Sequence, residues 1–390
     1  MEDYYCNQKF YQLKINAEKR AINSCCKSDQ ESLDTDWLKN NPGEIFNTPN
    51  LLRERSMMLS NQKVKSCEST CWSKEAKGMW SRRLSSKNKK KITTIRSKPT
   101  KLDITLSGEC NLACSYCCKQ YSSTWRKDIE TNGKYEGLSN YNDRYELNNF
   151  DRVLKKLSQK KRQLSTVTNL INLEIDMMAD GLDSVTITGG EPFLDYRFSD
   201  MMKKFKKTKY VSVHSGLGVS ETVLRRGLDA MSNRHEKTGL IVSAESTGTN
   251  FEFNRQGSSW ETFLRYIDII KEYDVALEFL TTYSNLNVTD YVKFNTMFRE
   301  YPITLNIVYD PEFMSVYNLD DDTKKFLIDD IKNSSLGNTK SATDIIKTIN
   351  QPTNGKLKKE LQYFLSQFTE RRKINADFMP ESFKYWLEAQ

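Results

Sequence analysis

From about residue 100 onward, the apolar positions fall into short strand-like runs separated by longer stretches with helical spacing. Residues 102–106, 184–188, 210–214, 239–245, 275–281 and 304–308 are short, β-branched-rich runs bounded by turn residues, and read as strands. Residues 198–207, 221–233, 260–272 and 290–298 carry apolar residues at helical spacing, as does 149–179, with a break around 164–168. Repeated strand–helix units predict an α/β fold with parallel strands joined by right-handed crossovers. Residues 126–149 are rich in Asn, Asp, Tyr and Gly and read as a long polar excursion without a period.

The ends of the chain break this rhythm. Residues 10–15 alternate as a strand, and a short turn leads to a second arm at 21–24, so a β-hairpin is expected. Cys6 and the pair Cys25-Cys26 lie at its two open ends, a helix is predicted over 50–59, and Cys67 and Cys71 close the segment. At the other end, 320–332 reads as helix, 333–339 as a Ser/Asn/Gly-rich loop, and the rest as a helical tail through about 365. The expected organisation is a small cysteine-rich α+β module at 1–80, a basic linker at 81–101, a core at 102–315 and a helical extension at 316–390.

Composition narrows the class. A chain of 390 residues with 37% hydrophobic and 28% charged residues suits a polar globular protein. No apolar run approaches membrane-spanning length, and Met1-Glu2-Asp3-Tyr4-Tyr5 lacks a basic-then-apolar signal pattern, so a cytoplasmic location is expected. Residues 82–101 hold nine Lys or Arg and no acid, yet no interleaved aromatics, which favours a solvated linker over a nucleic-acid surface. The nine cysteines cluster tightly, which in a cytosolic chain argues for metal ligation rather than disulfides. Cys118, just past the second cluster, reads as a spare buried thiol.

Cys110, Cys114 and Cys117 are spaced C-x3-C-x2-C directly after the strand at 102–106, with Tyr116 just before the last of them. Three thiolates on one loop can hold three corners of an iron–sulfur cube and leave the fourth iron open to a small chelating ligand. A structural zinc site is the alternative, and needs a fourth ligand nearby. The strand at 184–188 runs into Gly189-Gly190-Glu191-Pro192, where glycines let backbone approach a ligand and a carboxylate can accept from an amine.

The two motifs together resemble the radical SAM superfamily. That resemblance implies a partial (β/α)6 TIM-like barrel whose working residues sit at the C-terminal ends of the strands. It implies a [4Fe–4S] cluster on Cys110, Cys114 and Cys117, with Gly189, Gly190, Glu191 and Pro192 meeting the amino group of S-adenosylmethionine (SAM). Ser243 and Glu245 resemble polar SAM-contacting positions, and Tyr116 is counted with them. Arg255 resembles an arginine that takes the SAM carboxylate, although a solvated loop residue would read the same. His214, at a strand end, and His235, at a helix end, receive no catalytic role.

The N-terminal cysteines resemble the SPASM/twitch auxiliary-cluster module, placed ahead of the core as in a subgroup of short, often phage-borne, proteins. Phe46 stands where a Trp is usual, Ser24 where a Pro is usual, and Arg20 where a glycine is usual in the hairpin. The implied ligands of a second [4Fe–4S] cluster are Cys6, Cys25, Cys67 and Cys71, with Cys26 the alternative to Cys25. The same spacing suits a four-cysteine zinc site. The implied activity is reductive cleavage of SAM to a 5′-deoxyadenosyl radical that abstracts a hydrogen atom from a substrate, with a peptide or protein the leading candidate. An electron donor such as a flavodoxin or ferredoxin would be needed. A non-catalytic metal-stabilised scaffold is the alternative function.

Overall fold

A computed structural model describes residues 3–76, 81–86, 90–139, 141–148, 161–233 and 236–388. The fold is mixed α/β with a parallel sheet. The chain divides into two compact units: Met1–Ser107 with Leu154–Val213 and Asp229–Gly239, and Gly108–Val153 with His214–Leu228 and Leu240–Gln390.

In the first unit the N-terminal hairpin is part of the sheet. Strand β1 (Gln12–Asn16) pairs antiparallel with β2 (Ala21–Asn23), which pairs antiparallel with β3 (Glu31–Ser32). On its other edge β1 runs parallel to β4 (Lys101–Thr105), with Leu13 opposite Leu102 and Ile15 opposite Ile104. The parallel run continues through β5 (Ser184–Thr188) and β6 (Tyr210–Ser215). Period-2 alternation separates the two faces. Leu13, Ile15, Leu102, Ile104, Val185, Ile187, Val211 and Val213 are fully buried. The opposite face carries a polar lane in which Asp103, Thr186 and Ser212 are register neighbours, as are Thr105 and Thr188. Hydroxyls join that lane across strands, Thr105 to Thr188 at 3.1 Å and Ser212 to Thr186 at 3.2 Å.

The helix Lys161–Met178 runs unbroken through the predicted break at 164–168. The earlier part of that predicted helix, 149–160, lies outside the described residues, as does His235. Buried Glu174 on this helix accepts from the amides of Gly43 at 2.7 Å and Ile45 at 3.1 Å, tying down the turn before the helix Pro49–Leu59.

The second unit holds the parallel pair β8 (Ala276–Tyr283) and β9 (Ile303–Ile307); β7 (Lys237–Ser243), which precedes them in the chain, begins in the first unit and ends in the second, and the last two residues of β6 likewise fall in the second. The tail folds as four helices: Asp321–Asn333, Lys340–Ile349, Gly355–Arg372 and Glu381–Glu388. The supposed polar excursion instead begins with a helix, Ser123–Asn132, capped by the Ser122 hydroxyl accepting from the Trp125 amide. Its apolar stripe is only Trp125 and Ile129, one i,i+4 pair, too narrow to show as a period among polar residues. Trp125 is fully buried, with ring centroids of Tyr135, Tyr145, Phe368 and Phe364 at 5.4 to 6.4 Å. Arg372 from the tail stacks on the same ring at 4.6 Å and pairs with Asp128 at 3.3 Å. Aromatic packing, not loop polarity, governs this segment.

The turn between β1 and β2 places Arg20 at φ +51°, the left-handed region that disfavours a Cβ. Arg20→Gly should therefore raise the free energy of unfolding by up to about 1 kcal/mol, after allowing for glycine's extra unfolded-state entropy. A urea midpoint that stays level or falls would show that the arginine side chain outweighs the strain.

Candidate metal centres

The loop 110–117 has no regular structure, so its backbone polar groups draw partners from elsewhere in the second unit. Ser123 and Thr124 hydroxyls donate to the Cys110 carbonyl at 3.1 and 2.7 Å, and Ser122 donates to the Leu112 carbonyl at 2.7 Å. The Trp125 indole donates to the Cys114 carbonyl at 2.9 Å. On the other side, the amides of Ala113 and Ser115 donate to the carbonyls of Gln256 and Asn254 at 2.9 and 2.8 Å, and the Ser115 hydroxyl donates to Asn254 Oδ1 at 2.8 Å. Arg144 donates to the Tyr116 carbonyl at 2.8 Å.

Two polar side chains, Arg255 and Glu245, lie buried beside this loop, and half-buried Tyr116 of the loop joins them. Arg255 Nη1 donates to the Tyr116 hydroxyl at 2.6 Å, and that hydroxyl lies 3.0 and 3.1 Å from the two Glu245 oxygens. Arg255 also reaches Glu245 at 3.5 Å and the Gly216 carbonyl at 3.4 Å. At 2% exposure it is no solvated loop residue. Its Nε is buried and makes no hydrogen bond, and neither does the hydroxyl of buried Ser246. Burial pushes the Glu245 carboxyl up to about 6 against the pull of Arg255 and Tyr116. Burial works against the Arg255 charge, while Tyr116, Cys114 and Glu245 raise its hold on the proton. Ser243, the last residue of β7, is half-buried. Burial pushes the His214 imidazole down to about 4, so it is neutral at pH 7.

Burial also pushes the thiols of Cys114 and Cys117 up, with Arg255 opposing it at Cys114, and Cys117 feels the neighbouring charges of Cys114 and Cys110. Three soft donors on one loop, next to a buried cation with an orphaned N–H, fit an anionic thiolate cluster that binds a carboxylate-bearing ligand. Among the described residues no three His, Cys, Asp or Glu groups converge into a ready metal-holding arrangement, so the fit rests on the donor set.

The glycine turn belongs to the first unit and explains itself by close approach. A Cβ on Gly189 would stand 2.7 Å from the Ser107 carbonyl oxygen, and the Gly190 amide donates to that same oxygen at 2.8 Å. Glu191 is buried and caps the following turn, accepting from the Phe193 amide at 3.3 Å; Pro192 opens that turn. Behind it, Arg197 pairs with Asp195 at 2.6 Å and donates to the Leu106 carbonyl at 2.9 Å.

In the N-terminal part, Cys6, Cys25, Cys67 and Cys71 line one small cavity with Lys9, Lys27, Ser28 and Arg83. Cys26 is exposed. Cys6 precedes the single-turn helix Asn7–Phe10, Cys25 follows β2, and Cys67 and Cys71 sit four apart on successive turns, Lys65–Cys67 and Glu68–Trp72. The Asp29 amide donates to the Ser66 carbonyl at 2.8 Å and the Thr70 hydroxyl to the Lys27 carbonyl at 2.6 Å, which joins the two cysteine-bearing segments. Burial pushes the Cys67 thiol up to about 11 and the Cys6 thiol upward too. Four buried sulfurs among three cationic side chains fit a centre of net negative charge. Sequence reasoning named these four cysteines but not Lys9, whose buried position no local pattern signals.

No family model matches the sequence, and no curated protein does. Solved structures of Streptococcus suis SuiB are similar at 12% identity. The first covers 79% of this chain at a TM-score of 0.33, the form bound to precursor peptide SuiA covers 85% at 0.34, and the form bound to S-adenosylmethionine covers 86% at 0.36. This chain spans 62% of the length of the first and 71% of the other two, and scores this low carry no argument about function.

Two outcomes follow from the geometry. Trp125→Phe removes the donor to the buried Cys114 carbonyl and should cost about 1–3 kcal/mol of stability by urea unfolding; an unchanged midpoint would mean that the carbonyl finds another donor. Burial alone would raise the Asp195 carboxyl, but Arg197's hydrogen bond and charge hold it below the ordinary 3.8. A depressed acid contributes stability that is complete above its unfolded value and is lost as pH falls through the lower folded one. Asp195→Asn should therefore be less stable than the natural protein at pH 7, with the gap narrowing as pH falls below the ordinary carboxyl value of 3.8. A pH-independent gap would rule that linkage out.

Proposed function

We propose that this chain is a radical SAM enzyme. Cys110, Cys114 and Cys117 would hold a [4Fe–4S] cluster with one open iron. Such a cluster, once reduced by an external donor, would supply the electron for cleavage of the sulfonium C–S bond of SAM, with methionine as the leaving group, and so the means of abstracting a hydrogen atom from a substrate. What supports this reading most is the three-cysteine loop backed by the buried Arg255 guanidinium, whose orphaned Nε a ligand carboxylate would satisfy. Tyr116 and Glu245 fix the plane of that guanidinium, so it need not reorganise to meet a planar anion. Ser246, and half-buried Ser243 at the end of β7, would supply hydroxyls near the same place.

The turn Gly189-Gly190-Glu191-Pro192 keeps the role that the resemblance implies, contact with the SAM amino group. The N-terminal cysteines Cys6, Cys25, Cys67 and Cys71 would hold an auxiliary [4Fe–4S] cluster in a SPASM/twitch-like module. A peptide or protein is the proposed substrate, and a flavodoxin or ferredoxin the proposed electron donor. The described residues contain no helix long and apolar enough to cross a membrane.

The test is anaerobic reconstitution with iron and sulfide, reduction with dithionite, and assay of SAM cleavage to 5′-deoxyadenosine. The natural protein should cleave SAM and carry about eight iron atoms, and the Cys110/Cys114/Cys117→Ala variant should lose cleavage and keep about four. Zinc in place of iron, or iron without cleavage under varied reductants, would replace this reading with a metal-stabilised scaffold.

A further inference from the structure

Lys9 is the least exposed ionisable side chain around the N-terminal cysteine cavity, at 1%. Its ammonium makes three contacts, to Glu54 Oε2 at 2.6 Å, the Ser24 hydroxyl at 3.0 Å and the Ser66 hydroxyl at 3.1 Å. An ammonium has three N–H donors, so all three are spent. Each partner is placed to matter. Ser24 immediately precedes Cys25, Ser66 immediately precedes Cys67, and Lys9 itself follows Cys6 by one helical turn. Glu54, 5% exposed, comes from the helix Pro49–Leu59 and completes the pair from behind. Three of the four cysteine-bearing segments thus converge on one ammonium.

A buried Lys–Glu pair is expensive, and replacing such a pair with apolar residues is often neutral or stabilising. Its presence here therefore calls for a reason beyond stability. The cavity it lines is ringed by sulfurs, and Lys9, unlike Glu54, lines it directly. A fixed positive charge next to a thiolate-ligated cluster favours the more negative, reduced form, and so raises the reduction potential. Glu54 acts in the opposite sense from farther away.

We propose that Lys9 is a positioning residue for the auxiliary centre: it gathers the segments bearing Cys6, Cys25 and Cys67 and sets the centre's reduction potential, with Glu54 attenuating its charge. This inference rests on the reading of Cys6, Cys25, Cys67 and Cys71 as iron–sulfur ligands.

The test uses the full chain carrying Cys110/Cys114/Cys117→Ala, reconstituted anaerobically, so that only the N-terminal centre remains. Iron and sulfide are counted first, and the midpoint potential is then read by EPR-monitored redox titration. Glu54→Gln should move the midpoint to more positive potential. The double variant Lys9→Met with Glu54→Gln, which leaves no uncompensated buried charge, should move it back to more negative potential than Glu54→Gln alone. Lys9→Arg in the natural Glu54 background should keep the charge but loosen the serine contacts, lowering iron retention with little shift in potential. Midpoints that are the same in all the variants, or a double variant whose midpoint is as positive as that of Glu54→Gln or more so, would overturn the electrostatic role. Zinc, or no iron at all, in the Cys110/Cys114/Cys117→Ala parent would instead overturn the cluster reading itself, which separates the two failures.

Discussion

Backbone that is buried without regular structure must still be hydrogen-bonded, and the loop 110–117 is the place where this requirement shapes the second unit. Its carbonyls are met by the Ser122-Ser123-Thr124-Trp125 helix start, and its amides by the carbonyls of Asn254 and Gln256. Everything that holds those partners in place indirectly holds the cysteines. Trp125 is fixed by Tyr135, Tyr145 and the tail helix Gly355–Arg372. The C-terminal helices are therefore more than an appendage, since they supply the packing that orients an indole toward the Cys114 carbonyl.

The same logic governs charge. Around the loop, Glu245 and Arg255 are buried together with Tyr116 between them, an arrangement that tolerates burial only because each polar atom but one finds a neighbour. In the N-terminal part, the buried Lys9–Glu54 pair presents Lys9 to the cavity that four cysteines line. Both clusters spend desolvation energy that an apolar core would not, and both stand beside cysteines. Interiors tolerate such expense where a ligand or metal later compensates it.

The strands and the cysteine spacing were legible from the chain. The runs at 184–188 and 210–214 match β5 and nearly all of β6, because short β-branched alternation leaves little freedom. The excursion at 126–149 was misread. Its helix Ser123–Asn132 is anchored by one aromatic, Trp125, which packs on Tyr135 and Tyr145 of the same excursion and on Phe364 and Phe368 more than two hundred positions away, and a local window does not show the second pair. Arg20 sits in a left-handed turn that a glycine would adopt freely, because the hairpin and its pairing with β3 and β4 over-determine the turn.

By itself the sequence displayed the candidate donors, nine cysteines in two groups and a Gly-Gly-Glu-Pro turn, and alternating strand and helix patterns that specify an α/β fold with parallel strands. Covalent spacing and side-chain chemistry are local properties, so the chain states them openly. Only the tertiary structure decided that Cys25 lines the cavity while Cys26 is exposed, that Gly189 is required by the Ser107 carbonyl, and that Arg255 is locked against Tyr116. It alone brought Lys9, Ser24, Glu54 and Ser66 to one point. Those outcomes depend on which distant groups share a buried volume, and burial is a property of the packed chain rather than of any stretch of it.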